Sequence, residues 1–347
     1  MIRFNAKTLQ LLFVALLLTG CAAAERPSPA SSSGQPEVAL ALPSPAPTEP
    51  PTSTATPVVT PTPIATATPT RRPTATATPT PQAAAIQHVV IITIDGLRPD
   101  ALELAETPNL DALRRAGAYQ PAAKAVLPSV TLVNHASILG GMAPAKHGID
   151  WNALDPERGV INGPTLFSVA HDAGLSTAMV VGKDKFKHLV LPHSVDQYSY
   201  AGFLDVQVAE QAIELINAGL PDVLFIHLPD VDSAGHLLGW MSPGQLLAVA
   251  NTDGVVGNII AALEEHNYLD NTLLIITSDH GGTGTAHGSD SPEDTTVPWL
   301  AVGPGVPAGR QLTTPITAYD TAATALFALK LPIPPIWDGR PVREIFH

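Results

Sequence analysis

Three short runs of this chain are apolar without interruption, and the rest of the pattern is arranged around them. His88 to Ile94 (HVVIITI), Val223 to Leu228 (VLFIHL) and Leu273 to Thr277 (LLIIT) are rich in β-branched residues. They lack the polar alternation of a half-exposed strand, which predicts buried central strands covered on both faces. Ser176 to Val181 predicts another strand, and Pro298 to Val302 an edge-like one. Between these runs the apolar positions recur at helical spacing. Helices are predicted over Thr107–Ala116 (Thr107 as cap, Pro108 first), Pro164–Ala173, Asp205–Ala218 and Ala318–Leu329. Ser242-Pro243 opens a longer helix to about Glu265, with Leu246, Leu247, Val256, Ile259, Ile260 and Leu263 inward. Strand–helix alternation with fully apolar strands predicts an α/β fold, a doubly wound, mostly parallel central sheet with helices on both faces.

In such sheets ligands bind beyond the carboxyl ends of the strands. The three apolar runs are followed there by Asp95, by Asp230 and Asp232, and by Asp279-His280. Segments far apart in sequence are therefore expected to deliver carboxylates and imidazoles to one rim.

The stretch Leu127 to Asn152 carries a different signal. Thr131 precedes an apolar run, Leu132, Val133, Ala136, Ile138 and Leu139, that stops at Gly140-Gly141. This reads as a strand-to-helix turn, a short helix and a glycine stop. A hydroxyl there meets unpaired N–H groups and the positive end of the helix dipole, which favour an alkoxide or a phosphate oxygen. Taken alone, a Thr in this place is usually an N-cap. Ser129 is the rival hydroxyl.

The remaining candidates have metal-ligand character. Asp232 and His236 lie four residues apart, a spacing that lets both reach one cation. Asp279, His280 and His287 follow on a glycine-rich loop, where Gly281-Gly282 is expected to turn the backbone so that neighbours face different ions. Mixed Asp oxygen and His nitrogen suits zinc best, with manganese or iron possible. So many ligands are too many for one tetrahedral zinc and suit a pair about 4 Å apart. His88, His171, His188, His193, His266 and His347 read as hydrogen-bonded scaffold. His227 reads as core or support for a ligand, and His135 and His147 as support for the proposed nucleophile or as structural. Asp230 is the rival of Asp232, at a less favourable offset from His236.

Composition divides the chain. Arg3 and Lys7, the apolar run Leu9–Leu18 and then Leu18-Thr19-Gly20-Cys21 describe a secretory signal over residues 1–20 that ends like the lipobox of bacterial lipoproteins. Cys21 is the only cysteine, so with lipid on it no disulfide is possible. The expectation is an exported protein of the bacterial cell envelope, anchored to the membrane through lipid on Cys21. Residues 21–85 are Pro, Thr, Ala and Ser, a disordered tether of about 3 Å per residue where it is polyproline-like. Residues 86–347 suit one large domain. Residues 1–85 carry five basic and three acidic side chains, leaving 13 basic and 28 acidic for the domain, net −15 within the total of −13. A domain this acidic is a poor partner for duplex nucleic acid. All 12 histidines lie in it, and acid with histidine in excess is what a polynuclear metal site requires.

Together these residues amount to a family resemblance. Ile94-Asp-Gly-Leu-Arg-Pro-Asp100, then T-x-x-N-H from Thr131, G-x-x-P-x-x-H-G-I from Gly141, D-x-x-G-H from Asp232, and S-D-H-G from Ser278 with a following His287-Gly288, resemble the alkaline phosphatase superfamily. More narrowly they resemble the type I phosphodiesterase/nucleotide pyrophosphatase family, over about Gln87 to Phe346. The resemblance implies an alkaline phosphatase-like domain holding two zinc ions. Asp95, Thr131, Asp279 and His280 would ligate one, and Asp232, His236 and His287 the other. Thr131 would be the nucleophile, and Asn152, 21 residues further on, would bind a phosphate oxygen. The implied activity is phosphodiester or pyrophosphate hydrolysis through a phospho-threonine intermediate, on a nucleotide-like small molecule. A phosphomonoesterase, phosphonate hydrolase or head-group phosphotransferase on the same site is the alternative, and a non-catalytic binding lipoprotein a more distant one. The C-x-P-x-R sulfatase signature is absent.

Overall fold

The computed structural model describes residues 85–346. The predicted signal peptide, Cys21 and all but the last residue of the predicted tether lie outside the described residues. The first half runs β1 (His88–Ile94), α1 (Ala101–Leu104), α2 (Pro108–Ala116), β2 (Ala118–Lys124), α3 (Thr131–Gly140), α4 (Pro144–His147), α5 (Leu166–Asp172), β3 (Thr177–Val181) and β4 (Gln197–Tyr200). The second half runs α6 (Asp205–Ala218), β5 (Val223–Leu228), α7 (Asp230–Leu238), α8 (Pro243–Glu265), β6 (Thr272–Thr277), α9 (Pro292–Thr295), β7 (Thr296–Val302), β8 (Arg310–Gln311) and α10 (Asp320–Ala328).

The strands form one sheet in the order β4-β3-β5-β1-β6-β7-β2-β8. The β4-β3-β5-β1-β6 block is parallel, β7 is antiparallel to both neighbours, and β2 pairs parallel with β8. The sheet is thus mostly parallel, as its apolar strands require. Alternate residues of β1 serve opposite cores: Val89 and Ile91 pack with α3, α5 and α10, while Val90, Ile92 and Ile94 pack with α2, α6 and α8.

Four expectations are corrected. Pro298 does not mark an edge, because β7 lies inside the sheet between β6 and β2. The proline is tolerated because it faces the bulge of β2 between Gln120 and Ala123 and lies just past the last β6 pair, Thr277–Trp299. No ladder hydrogen bond is needed from its nitrogen. Thr107 holds the N-cap position of α2 without a side-chain cap. Asp253 of α8 caps that helix instead, accepting from Leu110 N–H at 2.8 Å and Asn109 N–H at 3.1 Å. Leu247 is 53 % exposed, since the buried stripe of α8 runs through Gln245, Val249, Thr252, Val256, Ile259 and Leu263. Gly281 and Gly282 are not left-handed turn residues. They are small because a Cβ would meet Glu293 O at 2.0 Å and the Trp240 ring at 2.3 Å.

α8 is the one helix among the described residues long and apolar enough to cross a bilayer. Its stripe is spent on the sheet.

Candidate metal centre and nucleophile

β5, β1 and β6 are parallel neighbours, so their carboxyl ends open on one rim. Asp95 leaves β1 there, Asp279 and His280 leave β6, and α7 starts two residues after β5. α7 was not anticipated. It places Asp232 and His236 one turn apart on one helix face, which is why an offset of four suits a shared ion. Asp230, the rival, is turned elsewhere. Its backbone N–H donates to Asp205 at 2.9 Å, and burial together with the Asp205 charge pushes its carboxyl up to about 8.

Thr131 is the first helical residue of α3, with extended Val130 before it and no side-chain cap bond. Its hydroxyl instead lies 3.4 Å from His280 Nε2. Ser129 donates to Ser289 O at 2.6 Å and points away from this contact. His135, one turn into α3, donates from Nδ1 to Thr131 O at 2.8 Å and accepts from Thr93 Oγ1 at 2.9 Å, tying the helix start to β1. Asn152 Oδ1 accepts from Leu132 N–H at 3.0 Å, which joins this side chain to the first turn of α3 and leaves its amide NH₂ as a donor.

The predicted ligands converge. Ligand atoms of Asp232, His236 and His287 lie within 4.8 Å of one another, and so do those of Asp95, Asp232 and His280. Asp279 Oδ2 is 3.3 Å from His280 Nε2. The donor set fits metal ions on two grounds. Asp95 Oδ1, Asp232 Oδ1 and Asp279 Oδ2 are buried carboxylate oxygens without a hydrogen-bond partner, a costly state unless a cation faces them. The imidazoles are also fixed for ligation. Nδ1 of His236 is 2.9 Å from Thr285 O, that of His280 2.8 Å from Gly281 O, and that of His287 2.8 Å from Ser129 O. Each ring thereby presents Nε2 to the centre.

Electrostatics agree. Burial raises Asp279 well above the ordinary carboxyl value, and repulsion from Asp95 and Asp232 adds to it. Burial alone would also raise Asp95, but Lys183, His227 and His280 hold it well below that value. Burial lowers His280, and lowers His287 to about 4, so both rings are neutral and metal-competent at pH 7.

Two lysines were missed. Lys183 follows β3 and places Nζ 2.6 Å from both Asp95 Oδ2 and Asp232 Oδ2. Lys185 donates to Asn152 Oδ1 at 2.8 Å, and burial beside Lys183 lowers it to about 8. Their signal was positional: Gly182-Lys183-Asp184-Lys185 stands directly after a buried parallel strand, at the same rim as the carboxylates. His227 supports a ligand, as expected, with Nε2 2.8 Å from Asp95 Oδ2. The scaffold histidine His88 bonds Pro221 O at 3.0 Å, and His147, placed beside the nucleophile on sequence, is structural and sits in the core against Ser137 at 3.1 Å.

A family model described as type I phosphodiesterase/nucleotide pyrophosphatase matches residues 89–296, more than half of the chain. The chain belongs to this family. An uncharacterized pyrophosphatase/phosphodiesterase of Schizosaccharomyces pombe is 28% identical over 223 residues, 57% of this chain and 45% of that one. Ectonucleotide pyrophosphatase/phosphodiesterase family member 3 of Rattus norvegicus is 27% identical over 214 residues, 56% of this chain and 24% of that one. The chain thus spans less than half the length of these curated relatives. In three dimensions it resembles murine ectonucleotide pyrophosphatase/phosphodiesterase 5, solved as an inactive variant in complex with AMP. The TM-score is 0.63 at 16% identity, over 72% of this chain and 96% of that one, a likeness of fold. The mostly parallel α/β sheet is the one expected from the apolar strands, and its alkaline phosphatase-like form is the one the family resemblance implied.

Proposed function

We propose that this chain is a lipid-anchored, extracytoplasmic, zinc-dependent phosphodiesterase/pyrophosphatase whose nucleophile is Thr131. The observation that carries the reading is the ring of three unpartnered carboxylate oxygens and inward Nε2 atoms around one threonine hydroxyl. Asp95, Thr131, Asp279 and His280 hold one zinc, and Asp232, His236 and His287 the other. Bound zinc supplies Lewis acidity, which lowers the pKa of the threonine hydroxyl and neutralises charge developing on phosphoryl oxygens. Thr131 Oγ1 forms the bond to phosphorus as the bond to the leaving oxygen breaks. Water then cleaves the phospho-threonine and returns the hydroxyl. His135 and Asn152 hold the first turn of α3 so that Oγ1 stays aimed, and the Asn152 amide NH₂ donates to a phosphoryl oxygen. The Leu132 N–H, already spent on Asn152, positions that side chain. A nucleotide-like diester is the substrate class suggested by the relatives' names.

The second reading is a more highly charged phosphoryl group, as in a monoester or phosphonate. Lys183 and Lys185 favour it, because two cations beside the metal ligands offset one more negative charge than a diester carries.

Anchoring rests on Arg3, Lys7, the run Leu9–Leu18 and the Cys21 lipobox. The proposed division is signal 1–20, tether 21–85 and catalytic domain 86–347. Cys21→Ala is expected to move the protein from the membrane fraction to the soluble one, and retention there overturns the anchor.

The deciding experiment is hydrolysis by the zinc-loaded full chain of a chromogenic phosphodiester against the matching monoester. Diester preference supports the first reading and monoester preference the second. Inactivity on both with zinc bound overturns the hydrolase.

A further inference from the structure

We infer that Trp240 is the positioning residue of the second metal site, the wall that fixes the ring planes of His236 and His287. The inference rests on the two-metal reading above.

Trp240 lies beyond α7, after Gly239 at φ 90° turns the chain back. The indole is 7 % exposed and held at both ends. Its backbone N–H donates to Gly284 O at 2.7 Å, and its Nε1–H donates to Gly96 O at 2.8 Å. Those carbonyls belong to the loop bearing His287 and to the turn bearing Asp95. The ring lies against three ligand-bearing segments. A Cβ on Gly235, beside His236, would stand 2.6 Å from the indole. One on Gly282, two residues after His280, would stand 2.3 Å away, and one on Gly96 3.3 Å. At Gly235 and Gly282 a side chain would displace this ring, whereas Gly96 has φ 73° and its Cβ would meet Asp232 first, at 3.0 Å.

The ring meets both imidazoles edge to face. Its centroid is 5.1 Å from that of His236 at 84°, and 5.8 Å from that of His287 at 67°. Each imidazole has one hydrogen bond at Nδ1, which fixes its edge but leaves rotation about that bond. The indole removes that freedom for His236 and braces the edge of His287, whose other face is stacked on His280. His236 needs it most, since its side chain is 46 % exposed and solvent lies elsewhere around it. His280 contacts the stacked face of His287, at 3.7 Å between centroids, rather than the indole. The first site is therefore less dependent on Trp240.

The test is zinc titration of the metal-free full chain against a competing chelator. Wild type is expected to take two ions. Trp240→Ala is expected to keep one affinity and to weaken the other about 10- to 100-fold, the usual loss when an outer partner of a ligand is removed. Trp240→Phe, which keeps a ring wall, recovers most of that loss. Gly235→Ala keeps the indole but puts a Cβ 2.6 Å from it, so the ring must shift, and should weaken the same ion. Unchanged affinity for both ions in Trp240→Ala and Gly235→Ala overturns the inference. Equal weakening of both ions, with no recovery in Trp240→Phe, shows a general packing role and overturns it too. A wild type that binds no pair of ions overturns the metal reading itself.

Discussion

Thr131 Oγ1 and His280 Nε2 stand 3.4 Å apart, brought together across 149 residues of sequence. The contact ties the start of α3 to the end of β6, and it puts the only threonine of the first α3 turn beside the proposed metal ligands. Removing the hydroxyl deletes the nucleophile while sparing Asp95, Asp279 and His280. Thr131→Ala is expected to lose at least about 10³-fold in turnover, a loss of the size seen when a nucleophile is deleted, with zinc content by elemental analysis largely intact because the other ligands remain. Turnover near wild type would sink the assignment. Thr131→Ser should retain the covalent intermediate, detectable by quenching with labelled substrate.

Lys185 is joined to Asn152 rather than to a metal ligand. Its removal should therefore act on phosphoryl binding. Lys185→Met is expected to lower kcat/KM by about 10²-fold, the usual cost of one preorganised donor. If the charged group matters for substrate class, the loss on a monoester exceeds that on a diester. Equal small losses on both would reduce Lys185 to packing.

Lys183 is the cation that the structure sets between Asp95 and Asp232. Chelation of zinc removes the other positive charge from three buried carboxylates. The full chain is expected to melt lower after chelation and to recover with zinc, each ion at 100 times its dissociation constant contributing about 2.7 kcal/mol. Lys183→Met should widen the gap between metal-free and loaded forms, because the metal-free form then loses the cation that bridges Asp95 and Asp232. Calorimetry of the four samples checks both statements.

His147 gives a pH prediction away from the metal ligands. Its Nδ1 accepts from Ile149 N–H at 3.1 Å and its Nε2 donates to Ser137, so both nitrogens are committed in the neutral ring. Burial lowers it from 6.5 to about 4. The unfolded chain takes the proton first, so its share of stability is full above about pH 6.5 and is lost as pH falls toward 4. At about 1.36 kcal/mol per unit, that share is about 3 kcal/mol. In His147→Gln the fall in unfolding free energy between pH 7.5 and pH 4 should shrink by about that amount. Buried His135 and His227 are lowered as well and steepen what remains.

Much of this was legible because the signals were local. Uninterrupted β-branched runs require burial on both faces, and an acid or histidine directly after such a run falls on the rim whatever the rest of the chain does. That reached Asp95, Asp279 and His280. Asp232 and His236 were found by their offset of four, before the helix that explains it was known. The illegible parts depend on partners. β2 reads AYQPAAK, with a proline and little apolar pattern, and becomes a strand only because β7 and β8 flank it. The cap of α2 comes from Asp253, 146 residues after Thr107, and no local motif announces it. Lys183 looks like a solvated surface residue until β3 is seen to lie beside β5, two strands from β6. The role of Gly282 was misread because glycine suggests a turn, whereas the reason lies in the ring of Trp240.

The central place of β1 also has a consequence for the order of synthesis. This strand is the first of the domain to leave the ribosome, yet its two partners are β5 and β6, and the second pairing is completed only by Thr277. Until β5 is made, HVVIITI is a seven-residue, β-branched segment with both edges open, and the edge that pairs with β6 stays open until Thr277. Such segments pair readily with copies of themselves on neighbouring chains. The central strand of the sheet is therefore made first and closed late, with one edge unpaired until β6 is complete.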